Sequence, residues 1–380
     1  MKETPSPSYI LDSLSRGIDV IHLLSQFHGE SVSLADLSRK ARINKTSVLR
    51  ILRTLEHKGW AVQTAPGQFR PVVRFLENRI KRVGFSSRDN RLSFPRAVTA
   101  SIVRTTSEHG VALLSLDNKS SHIQTIKNAE RMIREKVDCA VIFQAESDTG
   151  PELSSLFNES AIPLISIDMA IAGGSYFGAD NYSAGLSAGR ALARILAEGQ
   201  HARIEEILIV GNLRFGSLPA ARLSGFLKAF EKHYRYFPGT PVCTVDSLGS
   251  FETGIRLLRT KMRTTQRRKG IVVCVSDPIA MGAVQAIEES GRAKDWFVWS
   301  FGGAPDVRME LRRSGSPLIG LIGFGPDQYG PQIWNMVESL MDGKPVAPAT
   351  FARMKVLTRE NIDTQCPHDL ELIQVRESRR

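Results

Sequence analysis

The chain has 380 residues, which is too long for one ordinary domain and predicts two or three. Hydrophobic residues make up 42% of it and charged residues 23%, the composition of a globular chain that is able to bury a core. Its 50 Lys and Arg exceed its 39 Asp and Glu, which favours a polyanionic partner. Residues 1–80 carry 12 of these cations and 7 of these acids, so almost half of the net charge of +11 lies in the first fifth of the chain.

The sequence has no pattern typical of a secreted or membrane-spanning chain. The N-terminal segment MKETPSPSYILDSLSRGIDV has no apolar signal region, and no run of about 18 apolar residues predicts a membrane span. The cysteines form no CxxC pair and are predicted to be buried, reduced thiols: Cys139, Cys243, Cys274 and Cys366. We therefore expect a cytoplasmic protein without a membrane partner.

The sequence also gives no support for a metal site, a nucleotide cofactor or a catalytic set. The eight histidines form no HxxxH or His/Cys cluster, so no metal site is predicted. Neither GxGxxG nor GxxxxGK occurs, so no nucleotide cofactor is predicted. Spacing supports no Ser/His/Asp set, so we expect no catalytic residues.

Residues 9–60 have the pattern of three helices. Apolar residues recur at helical spacing from Ile10 to Leu24, Ser33 opens a short helix over 34–39, and Asn44 is the expected N-cap of a third helix through Lys58. Two strand-like pieces, 60–64 and 68–72, flank the turn signal Pro66-Gly67. This order predicts a winged helix-turn-helix.

The third helix has one apolar face and one polar face. The polar face carries the predicted DNA-binding residues Lys45, Thr46, Ser47, Arg50 and Arg53. Arg is able to grip guanine edges bidentately, and Lys, Ser or Thr hold phosphates, so double-stranded operator DNA is the predicted partner. A solvated helix face on a protein-interaction module is the alternative.

From residue 83 onward, apolar strand-like runs alternate with helix-like stretches. The strands are predicted at 83–85, 111–116, 139–143, 163–167, 206–210, 241–245, 271–275, 297–300 and 318–322. This alternation predicts a doubly wound parallel sheet, and so many strands favour two α/β lobes with a cleft between them. We expect a winged helix-turn-helix at 1–75, a linker at 76–82, a ligand-sensing domain at 83–362 and a C-terminal tail at 363–380.

Ligands of open α/β sheets bind beyond the carboxyl ends of the strands. That rule selects the segments 86–94, 168–169, 211–217, 276–277, 301–303 and 323–324, and it places Arg222 near the same edge. Asp277 precedes Pro278 at a helix start, which favours a structural capping role for it. The basic run from Lys261 to Lys269 is interpreted as a solvated loop.

Two families are recognisable in these residues. RGIDVIHLLSQF, SLADLSRKARINKTSVLRILRTLEHKGWAV and the GQFRPV wing resemble the IclR-type winged helix-turn-helix. IPLISID, YFGADNYSAGLSAGRALA, AARLSGFLKAF, VSDPIAMGAVQAI, FGGAPDVR and GFGPDQYG resemble the periplasmic-binding-protein type I fold of ribose-binding proteins and LacI/GalR-type sensor domains. The chain is therefore similar to a bacterial transcriptional regulator that joins a DNA-binding head to a sugar sensor.

The second resemblance implies the ligand contacts. Asp168 and Arg222 correspond to residues that hydrogen-bond sugar hydroxyls, Phe301 to an aromatic that stacks on the sugar, and Phe94 to an aromatic of the first loop. Ser276 and Phe324 complete the implied set, at positions where relatives carry Asn and Gln. Asp168 as a loop cap, Arg222 as a structural ion pair, and core roles for Phe301 and Phe324 stay open.

Several positions depart from the sugar-binding pattern. Met169 stands where sugar binders usually carry Arg, and Gly302 stands where many carry Asp. A pentose, hexose or polyol is the effector that the resemblance implies, while a less polar, acidic or modified ligand, or a lost site, remains open.

The resemblance implies a repressor that binds its operator as a homodimer or a dimer of dimers and is released by ligand, and activation is the alternative that stays open. A solute-binding receptor of a transport system is the alternative, and an α/β enzyme with an accessory domain is a third reading.

Overall fold

The computed structural model describes residues 11–25, 27, 30–71, 81–144, 147–198, 204–211, 217–234, 240–246 and 250–369. The chain divides into two units, residues 1–80 and residues 81–380.

The described residues of the first unit form three helices and a small antiparallel sheet. The helices are α1 (Asp12–Ser25), α2 (Leu34–Ala41) and α3 (Lys45–His57), and the strands are β1 (Val32–Ser33), β2 (Ala61–Ala65) and β3 (Gln68–Pro71), in the order β1-β3-β2. The predicted winged helix-turn-helix is confirmed. The two-residue strand β1, which pairs with the wing, was not predicted because a segment this short has no periodicity.

Caps and a tight turn fix the position of α3. Ser33 Oγ accepts the Asp36 amide at 3.0 Å, and Asn44 Oδ1 accepts the Ser47 amide at 2.8 Å, as expected for the N-caps of α2 and α3. Arg42 ends α2 in a left-handed conformation with φ 55°. The inner face of α3 packs against α1, α2 and β3, and it contributes Val48, Leu52 and Leu55 to the core.

The second unit consists of two α/β lobes. The N-terminal lobe has a six-stranded parallel sheet in the order β14-β8-β7-β6-β4-β5. Its strands are β4 (Arg82–Ser87), β5 (Ala112–Asp117), β6 (Cys139–Phe143), β7 (Leu164–Ile167), β8 (Ser175–Gly178) and β14 (Ala349–Phe351). Its helices are α4 (Ser93–Glu108), α5 (His122–Arg134), α6 (Gly150–Ser160) and α12 (Tyr329–Met341).

The C-terminal lobe repeats this design in the order β10-β9-β11-β12-β13-β15, with β15 alone antiparallel. Its strands are β9 (Glu206–Gly211), β10 (Val242–Asp246), β11 (Gly270–Cys274), β12 (Trp296–Gly302), β13 (Leu318–Gly323) and β15 (Lys355–Thr358). Its helices are α7 (Asn181–Glu198), α8 (Ser217–His233), α9 (Phe251–Thr264), α10 (Asp277–Glu289), α11 (Pro305–Arg312) and α13 (Ile362–Gln365).

The chain passes between the lobes after β8, after β13 and after β14. The predicted doubly wound sheets are confirmed, whereas β8, β14, β15, α6 and α11 were missed. The linker predicted at 76–82 lies outside the described residues up to residue 80. Residues 363–369, which we expected to belong to a tail, lie in and after α13, and Asp369 is buried against Arg308 and Arg312.

Glycines allow α7 and α8 to pack with their backbones in contact. A Cβ at position 185 would overlap the carbonyl oxygen of Arg222 and lie 2.7 Å from the amide nitrogen of Phe226. A Cβ at position 189 would lie 2.5 Å from the carbonyl oxygen of Phe226. Only glycine permits this approach, and the approach determines where Arg222 leaves α8.

Candidate functional site

The polar face of α3 is the candidate DNA-contacting surface of the first unit. Lys45, Thr46 and Arg50 are exposed, whereas Ser47 is half-buried. Arg53 donates from Nη1 to Glu56 Oε2 at 2.6 Å, and its guanidinium lies 6.0 Å from the ring centre of Phe69. Arg53 is thus held by its own helix and the wing, while Arg50 has no ion-pair partner among the described residues.

The second unit has a cavity of about 330 Å³ where the carboxyl ends of the two sheets face each other. All six residues predicted as ligand contacts line it: Phe94, Asp168, Arg222, Ser276, Phe301 and Phe324. The cavity therefore brings together residues that lie more than 200 positions apart in sequence, as the strand-end rule predicted.

Arg222 is the best-connected side chain of this cavity. Its Nε and Nη2 donate to Asn181 Oδ1 at 3.0 and 2.7 Å, and its Nη1 donates to the carbonyl oxygen of Val275 at 2.6 Å. Its guanidinium carbon lies 5.2 Å from the ring centre of Phe301 and 5.0 Å from that of Phe324. Such cation–π contacts contribute ~1–2 kcal/mol when they are shielded from water.

Phe301 and Phe324 are buried beneath Arg222. Phe301 is 1% exposed and Phe324 is 3% exposed, and the guanidinium of Arg222 lies over both rings. Both rings also line the cavity, and the stacking role that the resemblance implies for Phe301 stays a prediction. Phe94 lines the cavity as well, but it is only half-buried.

Asp168 follows β7 in a left-handed conformation with φ 61°, which costs energy for a residue other than glycine. Burial raises the pKa of Asp168, while Arg222, Arg88 and a hydrogen bond from the Ala179 amide act in the opposite direction. The carboxylate of Asp168 is influenced by two guanidinium groups, and such a carboxylate is a strong acceptor for hydroxyl groups.

Asp277 has the structural role that the sequence favoured, but it does not act through capping of α10. Ser276 occupies the N-cap position, and its Oγ is buried with no hydrogen-bond partner among the described residues. Asp277 does not cap its own helix. Its carboxylate accepts Ser300 Oγ and the Ala304 amide, both at 2.8 Å.

This arrangement explains the glycine at position 302. A Cβ there would lie within 2.5 Å of the carboxyl carbon of Asp277, so the carboxylate of Asp277 occupies the space that a side chain at 302 would need. Gly302 also has φ 148°, which favours glycine. Because the carboxylate of Asp277 fills this space, no acidic side chain fits at position 302.

Sequence reasoning missed several residues that line the cavity. They are Phe143, Asn181, Phe251 and Met281, whereas Arg88 and Arg91 lie in the segment 86–94 that the strand-end rule selected. Asn181 follows the missed strand β8, and Phe251 begins α9 shortly after β10. The strand-end rule selects both positions once these strands are known. Met169, in contrast, is buried in the core of the N-terminal lobe and does not line the cavity.

The basic run from Lys261 to Lys269 is partly neutralised. Lys261 Nζ lies 2.5 Å from the buried Glu206, and Lys269 Nζ lies 4.0 Å from Asp295.

In the described part of the chain no group of three His, Cys, Asp or Glu side chains is placed to hold a metal ion. None of the described helices is long and apolar enough to cross a membrane.

The family comparisons agree with this architecture. Residues 83–345 match the periplasmic binding protein domain family, and because this match spans most of the chain, the chain belongs to that family. Residues 13–65 match the IclR helix-turn-helix domain. The two resemblances predicted from the sequence are confirmed, and the chain combines a DNA-binding head with a solute-binding fold, which is the composition of a ligand-sensing DNA-binding regulator.

Solved structures with the same fold include ABC-transporter solute-binding proteins. One from Bacillus halodurans with bound myo-inositol has a TM-score of 0.65 and 18% identity, and the alignment covers 75% of this chain and 97% of that one. One from Agrobacterium vitis with bound allitol has a TM-score of 0.66 and 15% identity, with 76% and 98% covered. One from Actinobacillus succinogenes with bound D-allose has a TM-score of 0.66 and 15% identity, with 75% and 99% covered.

At these identities the likeness shows the fold alone. A search among curated proteins finds no match.

The buried carboxyl of Asp277 predicts a pH-dependent stability. Burial raises the pKa of Asp277 from 3.8 to about 7, so the folded chain holds a proton that the unfolded chain releases between these values. Stability should therefore fall as pH rises through this window, and Asp277→Asn should remove on the order of 1–3 kcal/mol of that fall. Urea unfolding at pH 5 and pH 8, followed by the fluorescence of the buried Trp296 and Trp299, measures it.

Asp295→Asn is the control, because the Asp295 side chain is half exposed in the same lobe. It should keep the pH dependence of the parent chain. If Asp277→Asn kept the same dependence as well, Asp277 would not be the titrating group.

Proposed function

We propose that this protein is a transcriptional repressor whose affinity for operator DNA is controlled by a sugar or polyol bound between the lobes of its second unit. The observation that carries the proposal is the cluster of Asp168, Arg222 and Asn181 at the carboxyl ends of both sheets, in a chain that also has a helix-turn-helix. A solute receptor of a transport system would need the second unit but not the first, so that alternative is not favoured.

The polar groups of the cavity suit vicinal hydroxyls. The described contacts of Arg222 use three of its five N–H groups, which leaves two donors on a guanidinium that is already fixed in place. The carboxylate of Asp168 is able to accept from two adjacent hydroxyls. The myo-inositol, allitol and D-allose of the structural neighbours are ligands of this chemical kind.

Ligand control of the repressor requires two states with different ligand affinity. Phe94 of the N-terminal lobe also packs against the buried cluster around β11 and α10 of the C-terminal lobe, so the two walls of the cavity meet at this ring. A ligand that engages Asp168 on one lobe and Arg222 on the other favours the closed arrangement. We propose that closure lowers operator affinity.

A homodimer fits a two-fold symmetric operator. Leu11, Leu14 and Ile18 lie three and four positions apart and are 68%, 60% and 44% exposed, which supports pairing of two heads through α1. Operator DNA as the partner places the protein in the cytoplasm of a bacterium.

Two substitutions on α3 separate base recognition from phosphate contact. Arg50→Ala should cost ~1–3 kcal/mol on a specific site and relax base preference, because an exposed Arg on this face is placed to reach base edges. Lys45→Ala should weaken binding to all DNA sequences about equally. It should also lower the slope of log affinity against log salt concentration by about one. Fluorescence-anisotropy titrations of specific and scrambled duplexes at several salt concentrations distinguish the two.

Arg194→Ala is the charge-matched control, because Arg194 is exposed on α7 of the second unit. It should bind both duplexes like the parent chain. Indistinguishable titrations for the Arg50 and Lys45 variants would contradict this division of roles.

Asp168→Asn tests the ligand site. The substitution keeps the side-chain shape, and Asn tolerates the left-handed backbone, so folding should be preserved while a charged acceptor is lost. Once a thermal-shift screen of myo-inositol, allitol, D-allose and pentoses yields a ligand, its Kd should rise about 10- to 100-fold in Asp168→Asn. Isothermal titration measures the change.

Asp295→Asn, in which a surface carboxyl is removed, should bind that ligand with the affinity of the parent chain. Equal affinities for Asp168→Asn and the parent would place the ligand elsewhere.

A further inference from the structure

One wall of the cavity is apolar, and a plain polyol bound at the polar end would make no contact with this wall. Phe251, Pro278 and Met281 are each half-buried and line the cavity on the C-terminal lobe. A sugar that hydrogen-bonds Asp168 and Arg222 uses only the polar end of the same cavity.

Close packing of α9 against α10 brings this wall together. A Cβ at Gly282 would lie 2.8 Å from both the Phe251 carbonyl oxygen and the Ile255 amide nitrogen. Phe251, at the start of α9, therefore lies beside the first turns of α10. Met281 follows Pro278 by three residues, so both occupy one face of α10.

The acid on this stretch does not make the wall polar. Asp277 lies between Ser276 and Pro278, but its two carboxylate oxygens are engaged by Ser300 and the Ala304 amide. Besides Asp168, Arg222 and Asp277, three other charged residues line the cavity. They are the half-buried Arg88, which acts on Asp168, the largely exposed Arg91, which pairs with Asp89, and the exposed Asp306.

The polar and apolar ends are joined by a short segment of chain. Val275 accepts from Arg222 at one end, Pro278 belongs to the apolar wall at the other, and Ser276 between them has a buried hydroxyl with no partner in the described residues. One molecule that spans this segment would contact both ends.

We propose that the effector is amphipathic: a sugar or polyol that carries an apolar substituent, such as an alkyl or aryl glycoside. Its hydroxyls face Asp168, Asn181 and Arg222, and its apolar group lies against Phe251 and Met281. This inference rests on the proposed sugar-sensing function and narrows its ligand class. Each methylene that the apolar wall buries raises affinity about fourfold.

Matched glycosides test the inference. The intact chain is titrated calorimetrically with methyl and hexyl β-D-glycosides of glucose, galactose and xylose, and with hexanol. For the sugar that binds, the hexyl glycoside should bind at least about tenfold more tightly than the methyl glycoside, and hexanol should bind far more weakly than either.

Met281→Gln replaces an apolar side chain with a polar one of similar length. It should abolish the advantage of the hexyl glycoside over the methyl glycoside. Met309→Gln is the matched control, because Met309 is 37% exposed on α11 of the same lobe and does not line the cavity. It should keep the advantage, and thermal melts without ligand check that both variants are folded.

The outcomes separate the two proposals. Equal affinities for the methyl and hexyl members of a binding pair, or an advantage that survives in Met281→Gln, would overturn the amphipathic ligand and leave sugar sensing intact. Hexanol that binds as tightly as the hexyl glycoside would overturn it as well. If no sugar, polyol or glycoside bound, the proposed function would itself lose its ligand class.

Discussion

The site depends on one guanidinium group that is held between two phenyl rings. Arg222 extends from α8, lies over Phe301 and Phe324, and is fixed by Asn181 and the Val275 carbonyl. Removing a charge from water is expensive, and these contacts offset the cost while they connect two helices to three strand ends. Because these contacts hold the guanidinium of Arg222 in place, it is already oriented when a ligand arrives, and little further ordering is needed.

Backbone packing makes this placement possible. Gly185 lets α7 touch α8 at Arg222 itself, and Gly302 leaves the space that the carboxylate of Asp277 fills. Asp168 meets Arg222 from the other lobe on a strained backbone. The polar end of the cavity is therefore shared by both lobes, as the proposed coupling of ligand binding to their closure requires.

Much of this structure was predictable from the sequence because doubly wound sheets gather their strand ends at one edge. Asp168 and Arg222 were placed at the cavity from that rule and the family resemblance. The contact between Arg222 and Phe301 was not predictable, since the sequence does not reveal that a guanidinium covers this ring. Phe251 and the pairing of Asp277 with Gly302 depend on contacts between distant segments, and the short strands β8, β14 and β15 have too few residues to show a period.

Reciprocal titration tests most directly whether the two units act as one regulator. Operator affinity is measured with and without a saturating sugar or glycoside, and the affinity for that ligand is measured with and without operator DNA, using the intact chain. Linkage requires the two affinities to change by the same factor, and we expect each to fall about 5- to 150-fold. Ligand binding that leaves operator affinity unchanged would contradict the account.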